Sequence, residues 1–131
     1  MDTSDQAIII ADPSAVIRKM LGEVVKEMGY RPVYAVDGPQ VMQRAFQEMS
    51  LLKLVVMEWL LPKKEALDVL MEFKQTEELR TVPVVIVTSA AGKVSVIKAL
   101  ENGAADYIVK PFGKENMKQK LQNFIVKKLG T

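Results

Sequence analysis

Short apolar runs rich in β-branched side chains recur along the chain. Unbroken runs of this kind are typical of strands that are buried on both faces of a parallel sheet. The runs occupy residues 7–11, 33–36, 54–57, 84–87 and 107–109. The second run follows Pro32, which cannot donate a backbone hydrogen bond to a neighbouring strand, so this strand is predicted at an edge of the sheet.

Segments with apolar residues at helical spacing separate these runs. The clearest extends from Ile17 to Met28, and Gly29 is predicted to follow it as the C′ residue. Further helices are predicted within residues 41–49, 66–73, 94–100 and 117–129. Strands alternating with helices in this way predict an α/β fold, a (βα)₅ doubly wound parallel five-stranded sheet. The predicted strand order is the flavodoxin-like order 2-1-3-4-5, with residues 1–131 forming a single domain.

Composition and charge exclude several classes of function. The chain of 131 residues is 49% hydrophobic and 26% charged, with a formal net charge of +2, which is too small to favour a nucleic-acid partner. It contains no cysteine and no histidine, so its chemistry must use carboxylates, hydroxyls or lysines. The amino end does not resemble a signal peptide, and no apolar run approaches the roughly 20 residues that span a bilayer. We therefore expect a cytoplasmic protein without a membrane partner.

Polar side chains follow four of the predicted strands. Strand one ends at Asp12 and strand three at Glu58, strand four ends at Thr88 and Ser89, and strand five ends at Lys110. Ligands of open α/β sheets bind outside the carboxyl ends of the strands, near the switch in strand order. These side chains are therefore expected to face one shallow pocket, which could hold a cation, bind a phosphoryl group or pair its own charges.

The motifs around these positions resemble those of response-regulator receiver domains. Residues 58–62 (Glu-Trp-Leu-Leu-Pro) are similar to the segment that carries the family's phosphorylated aspartate. Residues 87–90 are similar to its Thr/Ser switch, and residues 107–112 to its Lys-Pro signature. The resemblance covers nearly the whole chain. The segments most like the single-domain chemotaxis (CheY-like) members are residues 18–21, 26–30 and 128–130.

The resemblance implies a role for each pocket residue. Glu58 stands at the phospho-acceptor position, and Thr88 and Tyr107 stand at the positions of the two switch residues. Pro111 is similar to the family's cis-proline, which would aim Lys110 into the pocket. Without such roles, Thr88 would be a satisfied hydroxyl at a strand end, and Tyr107 an aromatic residue of the core or the sheet edge.

Two departures from the family concern its chemistry. An adjacent acidic pair follows strand one in the family, whereas here Asp12 is followed by Pro13, and a shift by one residue would still leave one acid of two. Glu58 replaces the acceptor aspartate, and residues 63–66 depart from the family's Met-Asp-Gly loop. With Lys110, the pocket charge falls from about −2 to about −1. We expect no cofactor, weak or absent Mg²⁺ binding, with only Asp12 and Glu58 as residual ligands, and no efficient phosphorylation.

Simpler roles are open for both carboxylates. Asp12 could be the N-cap of the first helix with Pro13 at its N1 position. Glu58 could pair with Lys110 and so satisfy two partly buried charges. It could instead mimic the phosphorylated state, although one charge and two oxygens imitate a phosphoryl group imperfectly.

The predicted function is a non-enzymatic, atypical receiver (a pseudo-receiver) in two-component signalling that acts through protein contacts, with Glu58 as a constitutive phosphomimic in one interpretation. The alternative is a response regulator that is still phosphorylated by weak Mg²⁺-dependent transfer, with an acceptor such as Asp12. A flavin or nucleotide site is disfavoured because residues 12–15 contain no glycine.

The predicted partner is a protein that binds the face formed by the fourth helix, fifth strand and fifth helix, as in the family. The chain itself is expected to be a monomer or a weak homodimer. Lysines of the last helix could contribute to docking or could form an ordinary solvated face. They are Lys114, Lys118, Lys120, Lys127 and Lys128.

Overall fold

A computed structural model describes residues 5–129, and describes side chains up to residue 125. Five strands alternate with five helices along this part of the chain. The strands are β1 (Ala7–Ala11), β2 (Arg31–Ala35), β3 (Leu52–Met57), β4 (Val84–Thr88) and β5 (Asp106–Val109). The helices are α1 (Ala15–Glu27), α2 (Gly38–Gln47), α3 (Ala66–Gln75), α4 (Lys93–Glu101) and α5 (Lys114–Leu129).

The strands form one parallel sheet in the order β2-β1-β3-β4-β5. In the middle of the sheet, Ile9 of β1 pairs with Val33 of β2 on one side and with Val55 of β3 on the other. Every residue of β1 and β4 is buried, as the unbroken apolar runs predicted. The doubly wound (βα)₅ fold, its strand order and the edge position of β2 are therefore confirmed.

Two strands begin two residues before their apolar runs, and β5 begins one residue before its run, at Asp106. β2 begins at Arg31, whose backbone amide donates to the carbonyl of Gln6 (2.9 Å) and whose guanidinium pairs with Glu48. β3 begins at Leu52 and includes the half-buried Lys53. A charged side chain at a strand start can turn to solvent while its backbone joins the sheet, so hydropathy does not mark these ends.

Helices cover both faces of the sheet. Alternate strand residues point to opposite faces, so Ile9 packs on one side while Ile8 and Ile10 pack on the other. The first side is closed by α2, α3 and α4, with Phe73 fully buried, and the second side by α1 and α5. None of the helices within residues 5–129 is long and apolar enough to cross a membrane.

The start of α1 differs from the sequence prediction. Ser14 is the N-cap, and its hydroxyl oxygen accepts a hydrogen bond from the backbone amide of Ile17 (3.3 Å). The helix begins at Ala15, so the predicted cap at Asp12 with Pro13 at N1 is wrong. The reason is that the Asp12 carboxylate is used in the pocket and in a tight turn to the Ser14 amide (2.8 Å).

The end of α1 matches its prediction. Gly29 has a φ of 89°, in the left-handed region that favours glycine. Its amide donates to the carbonyl of Lys26 (3.0 Å), and the amide of Tyr30 donates to the carbonyl of Val25 (3.2 Å). These are the two hydrogen bonds of a Schellman motif, which confirms Gly29 as the C′ residue.

Candidate functional site

Three charged side chains from the ends of β1, β3 and β5 meet in one cluster. The Nζ of Lys110 donates to Asp12 Oδ2 (2.8 Å) and to Glu58 Oε1 (2.9 Å). Asp12 and Glu58 are only 3% and 7% exposed. The Lys110–Pro111 peptide bond is cis, as the resemblance implied. The sheet therefore brings together three of the residues predicted for the pocket, Asp12, Glu58 and Lys110, and the proposed contact between Glu58 and Lys110 is present.

The second oxygen of each carboxylate is also occupied. Asp12 Oδ1 accepts from the amide of Ser14 (2.8 Å), and Glu58 Oε2 accepts from the amide of Leu60 (2.9 Å). In the described part of the chain, no buried side-chain nitrogen or oxygen lacks a hydrogen-bond partner. Within the same residues, no group of three or more Asp, Glu, His or Cys side chains is arranged to hold a metal ion. The cluster thus pairs its own charges and fixes two loops.

Electrostatics reinforce this pairing. Burial lowers the pKa of the Lys110 ammonium, but the hydrogen bonds and charges of Asp12 and Glu58 outweigh burial and raise it above 10.5. The folded chain therefore binds this proton more tightly than the unfolded chain does. The resulting stability is complete below the ordinary pKa and is lost as the pH rises through the raised one.

The two switch positions share one neighbour. The hydroxyl oxygen of the fully buried Thr88 accepts from the amide of Ala90 (3.2 Å), and the hydroxyl of Tyr107 donates to the carbonyl of Ala90. Among the described residues, no hydrogen bond joins Thr88 to Glu58. The ring of Tyr107 is turned inward, against the core and 6.4 Å from that of Trp59. Both side chains therefore hold the loop between β4 and α4.

The negative charge of Glu58 affects the pKa of Tyr107. Burial raises the pKa of the Tyr107 phenol above 10.0, and the negative charge of Glu58 raises it further, while a hydrogen bond with Ser95 opposes the shift. The carboxylate at the acceptor position is therefore electrostatically coupled to the aromatic switch position. This coupling does not require direct contact between the two side chains.

Glu58→Gln is expected to lower the pKa of Tyr107 towards its ordinary value, because the substitution removes the negative charge and leaves the burial. Because a raised phenol pKa makes the folded state lose stability as the pH rises from the ordinary pKa to the raised one, the variant should lose less stability over that pH range. Titration of the ¹³Cζ resonance of Tyr107 measures the shift. Tyr30 is an internal control, because burial alone raises its pKa. Equal changes at both tyrosines would contradict the assigned coupling.

Sequence reasoning missed a third buried carboxylate, which follows the carboxyl end of β2. Asp37 is 5% exposed and is the N-cap of α2, where its Oδ1 accepts from the amide of Gln40 (2.8 Å). Its Oδ2 lies 3.6 Å from the Nζ of Lys63, a residue with a φ of 68° in the loop after β3. Asp before Gly38 and a proline is a recognisable helix start, so the cap was detectable, but its ion pair to a distant loop was not.

The lysines predicted for docking on α5 are partly engaged within the chain. Lys114 pairs with Glu23, and Lys118 lies 3.8 Å from Glu27, so both tie α5 to α1. Lys120 is exposed. The side chains of Lys127 and Lys128, and all of Gly130, lie outside the described residues.

The fourth helix and the fifth strand expose apolar side chains. Val94, Ile97 and Leu100 of α4 are 67%, 51% and 47% exposed, and Val109 of β5 is 43% exposed. Next to α4, the loop after β3 presents Leu60, which is 61% exposed, to a groove of about 520 Å³. This surface is therefore more apolar than the part of α5 that carries the paired lysines.

Sequence comparison finds relatives among chemotaxis proteins. The chain is 25% identical over 115 residues to the chemotaxis protein CheY1 of Helicobacter pylori, covering 88% of this chain and 93% of that protein. It is 24% identical over 118 residues to a chemotaxis protein CheY homolog of Campylobacter jejuni, covering 90% and 91%.

Solved structures show the same fold. Chemotaxis response regulator CheY4 of Vibrio cholerae superposes with a TM-score of 0.83 at 19% identity, over 92% of this chain and 99% of that chain. A CheY-like receiver domain protein from Methanospirillum hungatei gives 0.85 at 20% identity, over 95% and 96%. The family model described as response regulator receiver domain matches residues 8–122. The chain therefore belongs to the family of response regulator receiver domains.

Proposed function

We propose that this receiver signals through protein contacts without being phosphorylated, and that Glu58, held by Lys110, replaces the modified acceptor. The observation that carries the proposal is the double hydrogen bond from Lys110 Nζ to Asp12 and Glu58 (2.8 and 2.9 Å). Every oxygen of the two carboxylates accepts a hydrogen bond from the chain itself. An incoming phosphoryl group would have to displace these bonds.

The donor set at this site does not suit Mg²⁺. The ion prefers six oxygen ligands in near-octahedral geometry at about 2.0–2.1 Å. Here two carboxylates are available, and the position after Asp12 is the exposed Pro13, whose side chain offers no ligand. The ammonium of Lys110 lies within hydrogen-bond distance of both acids, where it would repel a divalent cation. The proposed function therefore includes no metal-dependent step.

Glu58 acts in this proposal as a partial mimic of the modified state. Its Oε1 accepts a hydrogen bond from Lys110, and its Oε2 accepts one from the amide of Leu60. Tyr107 is turned inward and donates a hydrogen bond to the carbonyl of Ala90. Thr88 is the exception, because its hydroxyl oxygen is engaged by the Ala90 amide instead of contacting Glu58. We infer that the charge and the inward aromatic are reproduced, whereas the hydroxyl contact is not.

The output surface in this proposal is the apolar face of α4 together with β5. Receivers of this family act on protein partners. In this chain, Val94, Ile97, Leu100 and Val109 expose apolar surface there, and Tyr107 links β5 to the loop that precedes α4. We propose that a partner buries an apolar side chain on this face, because exposed apolar side chains that cluster on one surface mark interaction sites.

Incubation with acetyl phosphate and Mg²⁺, followed by intact mass measurement, tests the proposal. We expect no mass increase by one phosphoryl group, because Glu58 and Asp12 are both engaged by Lys110. A family member with aspartate at the acceptor position, treated in parallel, is the positive control. A stoichiometric, acid-labile adduct would overturn the proposal, and its loss in Asp12→Asn would identify Asp12 as the acceptor.

A further inference from the structure

The outer edge of β2 is a free edge of the sheet. β2 is the outer strand on this side, and β1 is its neighbour. The amide of Arg31 donates to the carbonyl of Gln6 (2.9 Å), on the side of β1. Because successive residues of a strand direct their backbone groups alternately to its two sides, those of Pro32 and Tyr34 face away from β1. A row of such outward groups is a template for pairing with another strand.

The outward groups of this edge are blocked or missing at alternate positions. The nitrogen of Pro32 carries no hydrogen, so this position has no donor. The carbonyl of Tyr34 accepts from Arg44 Nε (3.2 Å), and the amide of Val36, just after the strand, donates to Gln40 Oε1 (3.0 Å). Arg44 and Gln40 both belong to α2. Two side chains of one helix therefore lie along the edge and occupy its backbone groups.

The geometry of α2 places these two side chains. Gln40 and Arg44 are four positions apart, so they lie on the same side of the helix one turn from each other. The amide of Gln40 donates to Asp37 Oδ1 (2.8 Å), and the amide of Gly38 donates to the carbonyl of Pro62 in the loop after β3 (3.2 Å). A helix-capping role would account for Gln40 alone. It does not account for Arg44, which lies one turn beyond the cap and still contacts the strand.

We propose that Gln40 and Arg44 are straps that close the free edge of β2 against pairing with a strand of a second copy of this chain, and that Pro32 completes the closure. Removing the straps and the proline would restore a continuous row of backbone donors and acceptors. The inference goes beyond the proposed function and does not depend on the state of Glu58. It implies that this chain does not recognise its partners by adding a strand to β2.

Hydrogen exchange of the Val36 amide tests the first strap. Gln40→Ala should accelerate this exchange about fivefold, the effect of losing one hydrogen bond of typical strength. Gln47→Ala is the matched control, because Gln47 is an exposed glutamine at the end of the same helix. The amide of Arg31 is the internal reference, since it bonds within the sheet. Unchanged exchange at Val36 would overturn the assignment, as would an equal acceleration at Arg31.

The combined variant Pro32→Val, Gln40→Ala and Arg44→Ala tests closure of the whole edge. Sedimentation velocity should show self-association that rises with concentration, whereas the control Pro32→Val with Gln47→Ala should sediment like the unchanged chain. In the associated form, the outward amide of Tyr34 should exchange about tenfold more slowly, because it then donates a hydrogen bond to the added strand.

Two results with the combined variant would overturn the closure. One is association no stronger than that of the control at millimolar concentration, and the other is association that leaves the Tyr34 amide unprotected. The exchange measurement on Gln40→Ala tests the proposal even if the combined variant does not fold. Neither experiment depends on the outcome of the phosphodonor test of the proposed function.

Discussion

Lys110→Met is expected to lower the free energy of unfolding by about 3–5 kcal/mol at neutral pH, the usual cost of removing one partner of a buried ion pair. The ammonium is the shared donor for Asp12 and Glu58, whose side chains are 4% and 8% exposed. Without it, two carboxylates are left buried close together. Urea denaturation of the variant and the unchanged chain measures the difference.

Removing the two unpaired carboxylates as well should reverse most of this loss. Replacing all three charges, as in Asp12→Asn, Glu58→Gln and Lys110→Met together, should recover most of the stability, because no buried charge is left unpaired. A triple variant as unstable as Lys110→Met would show that the loss comes from packing.

Lys114→Met provides a matched control for the single substitution. Lys114 also pairs with an acid from another element, Glu23, but their side chains are 49% and 43% exposed. Water already solvates both charges, so little change in stability is expected. Equal effects at Lys110 and Lys114 would contradict the assignment of Lys110 as the centre of a buried cluster.

Gly38→Ala is expected to lower the free energy of unfolding by about 1–3 kcal/mol, the range for adding a carbon atom to a closely packed site. Gly38 is the first residue of α2, where alanine would otherwise favour the helix. A Cβ atom here would lie 2.3 Å from the backbone oxygen of Lys64 and 2.5 Å from its Cβ. Backbone on the loop after β3 would have to move.

The same loop movement should be visible at Trp59, the single tryptophan of the chain. The amide of Gly38 donates to the carbonyl of Pro62 (3.2 Å), so displacement of this contact should change the fluorescence of Trp59 three residues earlier. Gly113→Ala is the control, because a Cβ atom there meets nothing within 4 Å. A Gly38→Ala protein as stable as the Gly113→Ala protein would contradict this prediction, because the loop after β3 would then move without lowering the free energy of unfolding.

The buried cluster is connected to the α4 surface by two routes. Glu58 holds the amide of Leu60, whose side chain borders the groove beside α4. Its charge also raises the pKa of Tyr107, which hydrogen-bonds to Ala90 in the loop before α4. A carboxylate at the acceptor position can therefore influence the proposed output face through a loop contact and through its field.

The sequence by itself predicted the fold and the composition of the pocket. Apolar runs and helical periods are local signals, and Pro32 placed its strand at an edge for a local reason. Because the carboxyl ends of parallel strands lie at the same side of a sheet, Asp12, Glu58 and Lys110 could be assigned to one pocket before any distance was known.

Only the tertiary structure decided what each of these side chains contacts. Lys110 hydrogen-bonds to Asp12, which lies 98 positions earlier in the chain. Because the Asp12 carboxylate is used in this contact, Ser14 is the N-cap of α1 instead. Thr88 accepts a hydrogen bond from Ala90 instead of contacting Glu58. The apolar residues around Ile97 are exposed, although their helical spacing alone is equally compatible with burial. Hydrophobic period determines which segments pack, but hydrogen bonds and exposure depend on distances of a few ångströms between segments that are far apart in sequence.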